Sequence, residues 1–315
     1  MSGWPEPRGI PDRSWDLDGI TTELSDLRAA SQKHRHSGRQ VPELPSRTAV
    51  VAVVDGLVAA LYPRHFGPSG VPEDGLDLFV ADTLDQALRT LRQQVRRELQ
   101  LFDVDNARGH GELERSAQGI VADFARDLPR IRALLDRDIR AAFEGDPAAK
   151  SLDEVVFCYP GIAAIMRHRL AHRLYLLGAP MLARIIAELA HAQTGIDIHP
   201  GAEIGDSFFI DHGTGVVIGE TARIGRRVRL YQAVTLGAKR FEVDDSGAIA
   251  KGGDRHPILE DDVVIYAGAT ILGRITIGRG SSIGGSVWLT KSVPPGSTIT
   301  QAKARSDSFD GGAGI

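Results

Sequence analysis

The sequence predicts an α + β fold, an N-terminal α-helical domain followed by a parallel β-helix of hexapeptide repeats. Three observations carry this. Up to about residue 195, apolar residues recur every three or four positions, the period of helices with one buried face. Beyond Gly195 the period becomes six: Ile198, Ile204, Ile210, Val216, Ala222, Val228 and Val234, then Leu259, Ile265, Ile271, Ile277, Ile283 and Leu289. Glycine follows the same divide, with 18 of the 35 glycines between 195 and 296, where tight corners need permissive backbone.

Taken in order, residues 1–45 are rich in Pro, Arg, Ser and His and show no stable period. They read as a loosely ordered extension or short irregular helices, and their cluster KHRHSGR (33–39) as a solvated charge run. The helical domain covers 46–195. Its most apolar window, 48–62, is interrupted by Asp55 and is shorter than the roughly 20 residues that span a bilayer, so it reads as a buried helix. Helical patterns then run through 82–102, 113–145, 161–178 and 181–195, with stops at Gly145, Gly178 to Pro180 and Gly195. His168, His172 and His191 read as packing or helix-surface residues. The only cysteine, Cys158, excludes an intramolecular disulfide framework and reads as a small buried residue.

The β-helix covers 196–297. Period six fits neither a helix nor an alternating strand; it fits a three-faced coil in which each repeat turns one corner and aims an aliphatic residue at the axis. Eighteen residues then make one coil. Hexapeptide solenoids of this kind wind left-handed, an exception to the right-handed crossover rule. The two runs are out of phase because a polar, glycine-bearing loop, 238–253, leaves the solenoid between them. Residues 298–315 form a C-terminal tail.

With 37 Lys plus Arg against 41 Asp plus Glu, the net charge of −4 supplies no field for nucleic acid or an anionic membrane. No N-terminal apolar run of signal-peptide type is present, so a cytoplasmic protein is expected.

Chemistry concentrates in two places. Asp197, Asp211, His212 and Glu220 fall within little more than one coil, and Arg255 and His256 sit where the loop returns to the solenoid. Asp197 and His212 are 15 residues apart, close enough to a full turn to meet in neighbouring coils as a general base, the carboxylate fixing the imidazole tautomer. A buried structural pair is the alternative. Asp211 and Arg255 add one negative and one positive group, which suits a zwitterion such as an amino acid.

The opening DIHPGAEIG, then DHGTGVVIGETA, VTLG and GGDRHP, together resemble the serine O-acetyltransferases, strongly over about 140–300. The resemblance implies transfer of acetyl from acetyl-CoA to the L-serine hydroxyl in cysteine biosynthesis, with no metal. It implies that His212 is the base, Asp197 its orienting partner and His256 a second active-site imidazole. Asp146, Asp211 and Arg255 would hold serine, and Gly237, Ala238 and Ala267 would admit coenzyme A. It further implies L-cysteine as a feedback inhibitor, and a trimer or dimer of trimers whose active sites lie between neighbouring solenoids. Ile315 would dock into O-acetylserine sulfhydrylase. The loop 238–253 is longer than the family's usual form.

Three other readings stay open on the residues alone. An acetyltransferase for another hydroxylated amino acid, such as homoserine, would use the same groups. A non-catalytic hexapeptide scaffold would keep the solenoid without the chemistry. A zinc-dependent carbonic anhydrase would call on His199, His212 and His256, which lack a close ligand pair on adjacent repeats.

Overall fold

The computed structural model describes residues 15–36, 42–103, 107–240, 247 and 252–301. The chain divides into two compact units, Met1–Glu43 and Leu44–Ile315. The first contains helix α1 (Leu17–His36), longer and more regular than the loosely ordered extension or short irregular helices expected within residues 1–45. Leu17, Ile20, Leu24 and Leu27 repeat at helical spacing, and the prolines that colour the composition, Pro5, Pro7, Pro11, Pro42 and Pro45, all lie outside the helix.

The second unit opens with helices. Ser46 caps α2 (Arg47–Leu61) by accepting from the Ala49 N–H, and the helix buries Val50, Val53, Val54, Leu57 and Val58. The apolar window is therefore a core helix. Among the described residues no helix is long and apolar enough to cross a membrane. After the short α3 (Pro63–Phe66) come α4 (Glu73–Phe102), α5 (His110–Gly145), α6 (Leu152–Cys158), α7 (Pro160–Leu176) and α8 (Pro180–Thr194). The expected stops at Gly145, Gly178 to Pro180 and Gly195 coincide with helix ends, and Gly195 takes the left-handed conformation of a C-cap (φ 69°). Cys158 departs from expectation. It is exposed, because α6 turns Val155 and Val156 inward and leaves its last residues outside.

The β-helix follows as three parallel faces. The first face stacks β1 (Asp197–Ile198), β4 (Val217–Ile218), β7 (Thr235–Gly237), β10 (Thr270–Leu272) and β13 (Trp288–Leu289). The second stacks β2 (Glu203–Ile204), β5 (Arg223–Ile224), β8 (Ile258–Leu259) and β11 (Thr276–Ile277). The third stacks β3 (Phe209–Ile210), β6 (Arg229–Leu230), β9 (Val264–Ile265), β12 (Ser282–Ile283) and β14 (Thr298–Ile299). The second residue of each strand points to the axis, giving buried columns such as Ile198, Ile218, Leu236 and Ile271.

The coil length corrects one reading. Ile198 pairs with Ile218, a separation of 20 residues (198 to 218), whereas Ile218 pairs with Leu236 and Ile271 with Leu289, separations of 18. Val216, Ala222 and Val228 are buried, but they lie two residues before the aliphatics that register with Ile198, Ile204 and Ile210. The unbroken spacing of six thus joins two phases. The two extra residues fall in the corner between β3 and β4, which holds Asp211 and His212.

The helices meet the first coil through a buried ion pair. Arg169 of α7 reaches Asp138 of α5 with Nε at 2.6 Å and Nη2 at 2.9 Å, and also donates to the Ile204 and Gly205 carbonyls. Asp138 accepts from the Phe208 N–H at 2.9 Å, so one pair ties two helices to the corner between β2 and β3. Gly161 on α7 lies against the Ile210 carbonyl with no room for a side chain, and a Cβ on Gly145 would be 2.9 Å from the Phe209 ring. These contacts fix where α5 ends.

Candidate active site

Sequence-predicted site residues fall into two clusters on opposite edges of the first face. The leading edge is the corner entering β4. There His212 adopts φ 58°, and Gly213 and Gly215 follow at φ 92° and 78°, so the enlarged corner lifts the imidazole clear of the solenoid. Its side chain is 72 % exposed. Asp211 Oδ1 lies 3.9 Å from His212 Nε2, while Asp211 Oδ2 accepts from Arg229 Nη2 at 2.8 Å. The Arg229 guanidinium is held by two ring faces, Phe209 at 4.9 Å and Tyr231 at 4.7 Å.

Asp146 joins this cluster because α5 stops at Gly145 against Phe209, delivering the next residue to the same corner. Its Oδ2 accepts from the Tyr159 hydroxyl at 2.5 Å and its Oδ1 from the Ala148 N–H at 2.8 Å. These bonds, with the charges of Arg229 and His212 near by, hold the Asp146 carboxyl below the usual range. Two carboxylates face one guanidinium, which leaves one net negative charge beside His212.

Asp197 sits elsewhere on the face. It points outward from β1 in a column with Val217, Thr235, Thr270 and Trp288, and among the described residues no hydrogen bond joins it to His212.

The trailing edge is the corner leaving β4. Arg255 Nη2 meets Glu220 Oε2 at 2.6 Å, and Glu220 Oε1 accepts from the Tyr175 hydroxyl of α7 at 3.0 Å. Burial pushes the Glu220 carboxyl up, but the bonds from Arg255 and Tyr175 outweigh it and leave it below its ordinary value. His256 is buried. Burial, reinforced by the charge of Arg255, takes its pKa down to about 4, so the ring is neutral at pH 7. His199, on the same edge, is likewise lowered to about 4, chiefly by burial, and its Nδ1 accepts from the Gly201 N–H at 2.9 Å. Arg274 closes the cluster by donating to the Thr221 carbonyl at 2.5 Å, the His256 carbonyl at 2.9 Å and Asp254 at 2.8 Å.

Gly237 ends β7 on this trailing edge, where a Cβ would lie 2.9 Å from Leu272 Cδ2, and Ala238 follows it. Ala267 lies instead between β9 and β10, at the other edge, so one chain does not bring the three together. Beside Arg255 opens a cavity of 640 Å³ lined by Lys239, Arg240, Asp254, Arg255, Leu272, Gly273 and Arg274. Among the described residues no three His, Cys, Asp or Glu converge to hold a metal ion. Ile315 and most of the loop 238–253 lie outside the described residues.

No family model matches the chain. It is 56 % identical over 306 residues to the plasmid serine acetyltransferase of Synechococcus elongatus, covering 96 % of each chain. The chain belongs to the serine acetyltransferase family. Its fold matches serine acetyltransferase 1 of Entamoeba histolytica, solved with L-cysteine, at TM-score 0.70 and 34 % identity over 90 % of this chain and 97 % of that one. It also matches soybean serine acetyltransferase complexed with serine, at TM-score 0.52 and 32 % identity over 80 % and 96 %. The left-handed β-helix expected from the repeats is the solenoid of this family.

Within this serine acetyltransferase framework, the structure adds residues that motif reading missed. Tyr159 stands in the CYPG turn and gave no signal beyond its place before a proline. Arg229 sits at an outward strand position, where a cation looks like ordinary solvated surface. Thr221 lies in the DHGTGVVIGETA motif and Arg274 in no motif, and the use of both appears only when segments 34 to 53 residues apart are stacked.

Proposed function

We propose that this chain is a serine O-acetyltransferase, moving the acetyl group of acetyl-CoA to the hydroxyl of L-serine. The observation that carries this is the opposed pair of clusters: a net negative group of side chains around His212 and a cationic Arg255 beside a neutral imidazole. An α-amino acid needs both. The first face is about four residues wide from Gly215 to Gly219, roughly 13 Å at about 3.3 Å per residue. A small substrate cannot bridge that span within one chain, so the complete site is assembled where the leading edge of one copy meets the trailing edge of the next, as in a trimer.

In that assembly Asp146 and Asp211 hold the serine ammonium, with Arg229 setting the net charge to one. Arg255 clamps the carboxylate, releasing Glu220 or sharing with it. His212 removes the hydroxyl proton as the serine oxygen bonds to the thioester carbonyl carbon. The C–S bond then breaks, and the proton passes from His212 to the departing sulfur, with no acyl-enzyme required. Base catalysis of this kind contributes about 10² to 10⁴-fold. Asp197 orients His212 only if the assembly brings the two together. Gly237, Ala238 and Ala267 leave room for the pantetheine arm, and Lys239, Arg240 and Arg274 suit its phosphates.

Cysteine differs from serine only in bearing a thiol, and the Entamoeba histolytica relative was solved with it. It therefore binds the same pocket and competes with serine.

The test is coenzyme A release from acetyl-CoA by purified protein with serine, homoserine or no acceptor. Serine-dependent release, inhibited competitively by cysteine and abolished by His212→Ala, is expected. Release with homoserine alone, or full activity in His212→Ala, overturns the proposal.

A further inference from the structure

We propose that Thr221 is a positioning residue that sets the tautomer of His256 and the bearing of Arg255, so that His256 presents its Nε2–H as a neutral hydrogen-bond donor to the reacting carbonyl oxygen. What lies opposite Nε2 rests on the serine-acetylation reading; the tautomer itself does not.

Proton counting makes the case. Thr221 Oγ1 accepts from the Arg255 N–H at 2.9 Å and from the His256 N–H at 3.1 Å. A hydroxyl has two lone pairs and one proton. With both lone pairs engaged, the proton remains, and His256 Nδ1 lies 2.9 Å from Oγ1. The Thr221 backbone N–H also donates to Nδ1, at 3.1 Å. A nitrogen that receives two donors carries no proton of its own. The neutral ring is thus protonated at Nε2, and among the described residues Nε2 has no hydrogen-bond partner.

The clamp is held from behind. Arg274 grips the carbonyls of both Thr221 and His256, so the two segments, 35 residues apart (221 to 256), move together. Immediately beyond, the ladder between β5 and β8 begins with the Arg223 N–H on the Pro257 carbonyl at 3.1 Å. One hydroxyl therefore orients two site residues at the point where the loop rejoins the solenoid. Such a donor, fixed before the reaction and aimed where negative charge develops, is worth about 10² to 10³-fold in kcat.

Thr221→Val keeps the shape and removes the hydroxyl, and Thr221→Ser keeps the hydroxyl. Long-range proton–nitrogen spectra of histidine-labelled protein, with His256 assigned by its loss in His256→Gln, read the tautomer without substrate. The expected results are an Nε2–H ring in the wild type and mixed tautomers in Thr221→Val. The expected kinetics are a kcat lower by about 10²-fold with a raised serine KM in Thr221→Val, and Thr221→Ser within about threefold of wild type. An Nδ1–H ring in the wild type overturns the proposal, as does a folded Thr221→Val within threefold of wild type in both kcat and KM. If Thr221→Val does not fold, the wild-type spectrum decides alone. If the wild type acetylates no serine, the functional reading falls, and the same spectrum still decides the role of Thr221.

Discussion

Gly219 lies directly against the imidazole of His256: a Cβ at that position would fall 2.7 Å from Cγ and overlap Cδ2 and Nε2. The glycine is there for space, not for backbone freedom. In Gly219→Ala the ring must leave Thr221 or the β4 corner must shift, an overpacking cost of about 1 to 3 kcal/mol. The expected outcome is a kcat loss of at least tenfold with a modest fall in thermal midpoint. Unchanged kcat would show that the His256 ring position does not matter to turnover.

Tyr159 and Asp146 make the shortest neutral-to-anion hydrogen bond at the His212 edge, 2.5 Å. Tyr159→Phe removes that donor and keeps the ring. The Asp146 carboxyl then rises toward its ordinary value and loses its fixed orientation, at a cost of about 1.5 to 3 kcal/mol for a bond to a charged group. Serine KM is expected to rise roughly 10-fold or more, with kcat less affected, because the contact is made equally in ground and transition states. Steady-state kinetics with serine varied at saturating acetyl-CoA decide it; a kcat loss with unchanged KM would place Tyr159 in the chemistry instead.

What the sequence disclosed and what it hid follow from the range of the interactions. Leu259, Ile265, Ile271, Ile277 and Ile283 are spaced by a local repeat of six and all point to the axis, so the solenoid was readable without a structure. Asp211, His212, Arg255 and His256 were readable as motifs. The Arg229–Asp211 pair was not, because an outward Arg on a strand has no pattern until the enlarged corner above it is built. The expectation that Asp197 meets His212 rested on a coil of 18; the first coil has two more residues, and they sit beside His212. For α1, composition averaged over 1–45 concealed a helix flanked by prolines.

The pair Asp138–Arg169 is the least exposed ion pair described, with side chains 0 % and 5 % accessible. Asp138→Asn keeps the shape and leaves the guanidinium buried without its counter-charge. Breaking such a pair costs about 3 to 5 kcal/mol, whereas replacing both partners by apolar residues costs far less. Chemical denaturation should show the full loss in Asp138→Asn and a partial recovery in Asp138→Leu combined with Arg169→Met. Equal losses in the two would mean that the Arg169 bonds to the Ile204 and Gly205 carbonyls, not the charge pair, hold the helices to the coil.

Acid should destabilise the protein through its buried imidazoles. His199 and His256 have pKa values of about 4 in the fold, lowered mainly by burial from the ordinary 6.5. Between those values the unfolded chain binds a proton on each ring that the folded chain refuses, so the unfolded state takes up more protons and gains free energy relative to the fold as pH falls. His168 and His172, both lowered by burial, act in the same direction. Stability contributed by these rings is therefore fully present above about pH 6.5 and is lost progressively toward pH 4. The measurement is the urea midpoint from pH 7.5 down to pH 4.5, for wild type and for His199→Gln. A falling midpoint that becomes shallower in His199→Gln is expected, and a midpoint that stays level or rises over that window would show that these rings are not held neutral.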